Sequence, residues 1–330
     1  MLAMSFTRVI ERFAEESPTS VMVQGIMEHL FASDGLDALF KRHAQKQYTR
    51  ELRFSDVVDL MSLVVCGIHP SVNAAYRRKA KALQVSRTAV YSKLNGIEPE
   101  VSGALLRHSA QQLSACIDEM DGRQPEWVEG YRVRILDGNC LAGTDHRLAV
   151  LRPYAAKPLP GKSLVVLEPA LQLVTNVFPC LDGHAQERAL FTAVLKTVEP
   201  KDLWIADRNM GNLSFLFALH QAQAAFVIRQ HGAPSWKALD VLQSKGSTET
   251  GTVFEQPIQL QYEGQTLALR RIVVRLKQPT RDGDSEIALV SNLPATAANA
   301  IEIAQVYRQR WSVETLFHVI TDNFEGEIQT

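Results

Sequence analysis

The first 120 residues carry apolar positions at helical spacing, one helix after another, with few runs that alternate as a strand does. Within them "NAAYRRKAKAL" (73–83) is followed by "QVS" and then by "RTAVYSKLNG" (87–96). Ser86 is placed to cap the second helix and Gly96 to stop it. Two short helices joined by so tight a turn read either as an ordinary helical hairpin or as a helix-turn-helix. In the second case Arg87, Thr88, Tyr91 and Lys93 are the side chains presented to a DNA groove.

After "GRQPEW" (122–127) the period changes. "YRVRILDG" (131–138), "HRLAVLR" (146–152), "SLVVLEP" (163–169) and "LQLVTNVFP" (171–179) read as strands. "HAQERALFTAVLKTV" (184–198) has helical spacing, "DLWIAD" (202–207) is a short buried strand, "MGNLSFLFALHQAQ" (210–223) a helix and "AAFVIRQ" (224–230) a strand. A strand meander followed by alternating helix and strand predicts an α/β core with helices on the sheet faces. From 231 to 286 the pattern is β-rich, with a hairpin turning at Glu263–Gly264 and a further turn at "RDGD" (281–284). Helical spacing returns from Ala297 to about Phe324. Three parts result: an all-helical N-terminal domain over 1–125, containing the helix-turn-helix-like segment 73–96; a core over 130–230 plus 287–325; and a β-rich insertion over 231–286.

Composition changes this picture little. The chain is 46% hydrophobic and 22% charged, as ordinary soluble proteins are. No apolar run approaches the ~18 residues of a membrane span. The N-terminus lacks a signal-peptide core. No membrane partner and a cytoplasmic location are therefore expected. Cys66, Cys116, Cys140 and Cys180 form no C-x-x-C pair, so buried free thiols are expected in place of a zinc site or a disulfide framework. Charge says more. The formal net charge of -1 hides eleven basic against three acidic residues between 41 and 93, among them Arg77, Arg78, Lys79 and Lys81 on the first helix of the pair. Such a cluster points to a polyanionic partner or to solvated basic helices.

Two aspartates have matching contexts: Asp137 ends "VRILD" and Asp207 ends "LWIAD". The carboxyl ends of strands gather ligands and catalytic groups in α/β sheets, and aspartates there also serve as turn formers and helix caps. Further on, "YRQRWSVETLF" (307–317) belongs to a helix whose apolar stripe is Val306, Val313, Phe317, Ile320 and Phe324. Tyr307, Arg310, Glu314 and Thr321 form a second stripe, roughly 80° around. This is either a solvated face with an Arg310–Glu314 pair or the rim of a site. Trp311 reads as a packing residue. Three carboxylates suit hard divalent cations such as Mg²⁺, and two such ions about 4 Å apart serve phosphodiester cleavage.

With these blocks in place the chain resembles the bacterial insertion-sequence transposases of the DDE type. "ILDGNCLAGTDHRL" (135–148) resembles their first aspartate block and "DLWIADRNM" (202–210) their second; the closing helix resembles the Y-x2-R-x3-E-x6-K signature of the YREK subgroup. "FPCLDGHAQERAL" (178–190) and "YTRELRFSDVVDLM" (48–61) resemble family segments too. The resemblance implies an α/β, ribonuclease H-like catalytic core with a β-rich insertion, preceded by the helical DNA-binding domain. It implies Asp137, Asp207 and Glu314 as catalytic, metal-binding residues for two Mg²⁺ ions, with Mn²⁺ able to substitute, and Tyr307 and Arg310 as contacts to DNA phosphates. The implied partners are double-stranded DNA (terminal inverted repeats and target) and a second copy of the chain in a homodimer assembled on DNA. The implied setting is the bacterial cytoplasm, at the nucleoid when bound. The signature's final lysine falls at Thr321 and the sequence stops at Thr330, so a truncated, non-catalytic DNA-binding remnant is the alternative.

Overall fold

The computed structural model describes residues 13, 15–47, 51–141, 161–180, 187–230, 232, 236–280, 283–311 and 315. Glu314, Thr321 and the strand expected at 146–152 lie outside them. The chain divides into two compact units, one running up to Ala115 and the other starting at Cys116.

The first unit holds α1 (Pro18–Leu30), α2 (Ser33–His43), α3 (Phe54–Val65), α4 (Val72–Leu83), α5 (Arg87–Gly96) and most of α6 (Pro99–Glu119). Leu36, Leu39 and Phe40 of α2 pack with Phe54, Val101 and Ala104, and the Phe40 and Phe54 rings stack with centroids 5.0 Å apart. A second cluster joins Leu60 of α3, Ala75 of α4 and Val90 of α5. The α4–α5 turn is fixed by local chemistry. Gln84 ends α4 in the left-handed region (φ 53°), Ser86 Oγ accepts from the Ala89 N–H at 3.1 Å, and the Tyr76 hydroxyl donates to the Val85 carbonyl at 2.8 Å. Tertiary packing of Val90, fully buried, then holds α5 against α3 and α4.

The second unit is mixed α/β, built on one sheet. Its strands are β1 (Arg132–Leu141), β2 (Gly161–Glu168), β3 (Leu173–Cys180), β4 (Asp202–Ala206), β5 (Ala225–Arg229), β6 (Trp236–Ala238), β7 (Gln243–Ser247), β8 (Gly251–Tyr262), β9 (Gln265–Leu276) and β10 (Glu286–Ser291). Their order is β3-β2-β1-β4-β5-β10-β9-β8-β6, with β7 also on β8. β1, β4 and β5 are parallel, and the other pairings are antiparallel. The β8–β9 hairpin turns at Glu263 (φ 47°) and Gly264 (φ 77°), the positive-φ pair that a two-residue turn demands. The β-rich stretch therefore continues the same sheet through β9 and β10.

Each face of the sheet is covered. One face packs Leu136, Trp204 and Ala206 against α7 (Phe191–Leu195) and α8 (Leu213–Gln221). The other packs Val133, Ile135, Leu203 and Ile205 against Ile303 and Val306 of α9 (Ala300–Arg308). The helix expected across 184–198 is shorter in the described residues, a 3-10 turn at Glu187–Leu190 followed by α7. Cys66, Cys116 and Cys180 form no disulfide, but Cys66, expected to be buried, is exposed because it follows the last turn of α3. No helix of the described residues is long and apolar enough to cross a membrane.

Candidate functional site

Strand register assembles the site. The β1–β4 pairing ends at Leu136 opposite Ala206, and the β4–β5 pairing at Ala206 opposite Ile228. The next residues on the three strands are Asp137, Asp207 and Arg229. They form a row at the carboxyl end of the parallel strands, which lie about 4.8 Å apart. Side chains alternate along a strand, so residues 137, 207 and 229 continue the face of Ile135, Ile205 and Val227, beneath α9.

The strand expected over 131–138 runs further than its sequence pattern. β1 continues to Leu141 because its β2 edge stays paired, Asp137 opposite Val165, after the β4 edge has ended. Asp137 therefore sits where the sheet is open on one side only. Beside it, the Glu187 carboxylate reaches over Gly138 to where a Cβ would stand, a close approach that the flexible glutamate could give up. Asp207 remains extended and caps the short 3-10 turn Arg208–Met210, with Oδ1 accepting from the Asn209 N–H at 2.9 Å. The capping role and a place in the row coexist.

α9 supplies the roof. Its N-terminus is secured by Asn299, which accepts from the Ile301 and Glu302 N–H groups while Glu302 reaches back to the Asn299 N–H at 2.7 Å. Val306 and Ile303 sink into the core, which brings the next turn over the row. Arg310 Nη1 donates to Asp137 Oδ2 at 2.8 Å, and Arg310 is 8% exposed. This removes Arg310 from the alternative of a solvated face. Asp137 Oδ1 accepts from the Gly138 N–H at 2.9 Å. Burial raises the Tyr307 hydroxyl above its ordinary pKa; Arg310, to which it is hydrogen-bonded, and Arg229 act in the opposite sense, and Asp207 adds to the rise. Tyr307 thus feels both ends of the row. Trp311, expected to pack, is instead 51% exposed and borders an apolar trough of about 420 Å³ floored by Val274, Leu276, Ile287 and Leu289.

Arg229 is the member that sequence reading missed. Its signal was present, since "FVIR" ends a parallel strand as "RILD" and "LWIAD" lead to theirs. The Arg229 guanidinium is held by Asp284 at 2.6 Å and lines a small cleft with Arg208, Gln230 and Glu286.

Among the described residues no group of three or more His, Cys, Asp or Glu is arranged to hold a metal. The two carboxylates of the row nevertheless fit a hard divalent cation as part of a site: both are oxygen donors, on neighbouring strands and on one face.

The model described as the transposase DDE domain matches residues 130–328, more than half of the chain. The chain belongs to the DDE transposase family. A comparison with curated proteins gives no match. The matched span contains Asp137, Asp207, Tyr307, Arg310 and Glu314, so the row and its roof lie inside the transposase domain.

The expected DNA-facing residues of the first unit are not equally presented. Arg77, Arg78, Lys81, Arg87 and Thr88 are exposed on α4 and α5. Lys79 is half-buried and paired with Asp59. Tyr91 packs against the cluster around Val90. Lys93 is turned inward: its ammonium lies 4.0 Å from the centre of the Phe40 ring, and burial lowers its pKa while Asp37 opposes the shift. The expectation that Lys93 faces a groove is corrected by that packing.

Proposed function

We propose that this chain is a metal-dependent DNA transposase of the YREK subgroup from a bacterial insertion sequence, with a ribonuclease H-like core. The observation that supports it best is the row of Asp137 and Asp207 on adjacent parallel strands, roofed by Tyr307 and Arg310 of the signature helix. Asp137, Asp207 and Glu314 would hold Mg²⁺ or Mn²⁺, with room in the family pattern for two ions. When bound, such ions favour the deprotonated nucleophile and neutralise charge developing on the phosphodiester.

The chain's own residues do the positioning. Tyr307, Arg310 and Arg229 bring a hydroxyl donor and two guanidiniums to one side of the row, the donor chemistry that binds and orients a phosphate. The α9 roof and the apolar core below limit the access of water to Asp137, whose side chain is 15% exposed. Exposed Arg77, Arg78, Lys81 and Arg87 with Thr88 would engage terminal inverted repeats, α5 entering the major groove. Cleavage by water forms one P–O bond and breaks another, leaving a 5′-phosphate and a free 3′-hydroxyl; that hydroxyl then attacks a second phosphodiester in the opposite strand or in target DNA, forming a new phosphodiester as the 3′-oxygen of the attacked strand leaves. Assembly as a homodimer on DNA and residence at the nucleoid follow from this reading.

The test uses labelled duplexes carrying the DNA that flanks the reading frame, with Mg²⁺ or Mn²⁺. Nicking that is lost in Asp137→Asn, Asp207→Asn and Glu314→Gln supports the assignment. Nicking that survives any of them overturns it. Tight binding with no nicking by the unaltered chain identifies a non-catalytic remnant, the reading that Thr321 in place of the signature lysine favours.

A further inference from the structure

We infer that Arg310 couples cation binding to DNA binding, because its guanidinium and a divalent cation compete for the same oxygen of Asp137. The inference rests on the reading of Asp137 as a cation ligand. Arg310 Nη1 stands 2.8 Å from Asp137 Oδ2, and the two side chains are 10% and 15% exposed. Asp137 Oδ1 already accepts from the Gly138 N–H. A cation approaching Oδ2 therefore meets a fixed positive charge in a poorly solvated place, where like charges repel strongly.

The reverse constraint is as strong. A buried guanidinium needs a counter-charge, and Asp137 provides it. An anion that takes over the guanidinium frees Asp137. A DNA phosphate is the suitable one, because its oxygens match the guanidinium fork as a carboxylate does. Phosphate then releases Asp137 for the cation, and the cation favours the phosphate-bound arginine. Such coupling is reciprocal: DNA tightens cation binding by the factor by which the cation tightens DNA binding. The consequence is economy of chemistry, since the complete site forms only on DNA.

The experiment titrates Mn²⁺ into the full chain and follows free Mn²⁺ by electron paramagnetic resonance, with and without a saturating flanking-DNA duplex, against a DNA-only control. Arg310→Gln, which keeps a polar side chain and removes the charge, is expected to bind Mn²⁺ about tenfold more tightly than the unaltered protein in the absence of DNA. DNA tightens Mn²⁺ binding by a comparable factor in the unaltered protein and much less in Arg310→Gln. Arg310→Lys retains the charge and is expected to stay near the unaltered affinity; it also serves if the glutamine variant unfolds. A residue that merely contacts phosphate leaves the DNA-free Mn²⁺ affinity unchanged. Unchanged or weaker binding in a folded Arg310→Gln therefore overturns the coupling, provided Asp137→Asn abolishes binding. An Asp137→Asn protein that still binds Mn²⁺ at full strength overturns the ligand reading beneath it.

Discussion

Replacing Lys93 by methionine separates what the first unit's positive charge does from where it sits. Lys93 is buried against the Phe40 ring, while Lys81 is exposed twelve residues earlier on α4. Each cation that neutralises a phosphate of duplex DNA adds about 0.9 to the slope of log affinity against log salt. A fourfold change in salt then alters affinity by about 3.5-fold per contact. Lys81→Met should flatten the slope by about that 0.9 and weaken binding most at low salt. Lys93→Met should leave the slope unchanged. Because the methionine keeps an apolar stem and removes a desolvated charge, it should leave stability unchanged or raise it by up to about 1 kcal/mol. Fluorescence anisotropy on a flanking duplex between 50 and 200 mM salt, beside urea unfolding, measures both quantities. A slope that falls equally in the two variants would refute the inward placement of Lys93, and with it the assignment of the groove-facing surface to the outer edge of α4 and α5.

Two further outcomes follow from the second unit. Tyr307→Phe removes the hydroxyl bonded to Arg310 and should cost no more than about 1.5 kcal/mol of stability by urea unfolding, while slowing cleavage of the flanking duplex at least several-fold; full-rate cleavage would remove Tyr307 from the site. At the opposite end of the strands Arg132 bonds both Asp202, fully buried, and Glu199, two-thirds exposed. Asp202→Ala should destabilise the protein by about 3 kcal/mol, the low end for a broken buried pair because Arg132 itself reaches solvent, and Glu199→Ala by less than about 1 kcal/mol; equal losses in urea unfolding would contradict the burial difference.

The sequence disclosed the elements better than their edges. Ser86, Gly96 and the three residues between the helices announced α4 and α5, because caps and turns are local chemistry. Glu263–Gly264 announced its hairpin for the same reason. The inward turn of Lys93 was not legible, since it depends on Phe40, more than fifty residues away. Nor was the extension of β1 past Asp137, which is set by pairing with β2. The Arg310 stripe was visible as polar positions beside an apolar stripe, but periodicity cannot distinguish a wet face from an ion pair beneath a helix. That distinction required the partner, Asp137, supplied 173 residues earlier.

What places the two aspartates together is an apolar pattern. Val133, Ile135, Leu203 and Ile205 fill one core and Leu136, Trp204 and Ala206 the other, so each strand is buried on both faces and its register is strongly specified. A slip of β4 by one residue would turn Trp204 toward α9 and send Asp207 to the face of α7 and α8. The cost of that slip is the burial of several large side chains, each worth about 1.5–3 kcal/mol. Two like charges side by side would by themselves push the strands out of line. The packed residues just before them oppose that push, and Arg310, ion-paired to Asp137, offsets part of the charge. The site is therefore held by residues that never touch it, and a core substitution such as Ile205→Ala should disturb it before it unfolds the sheet.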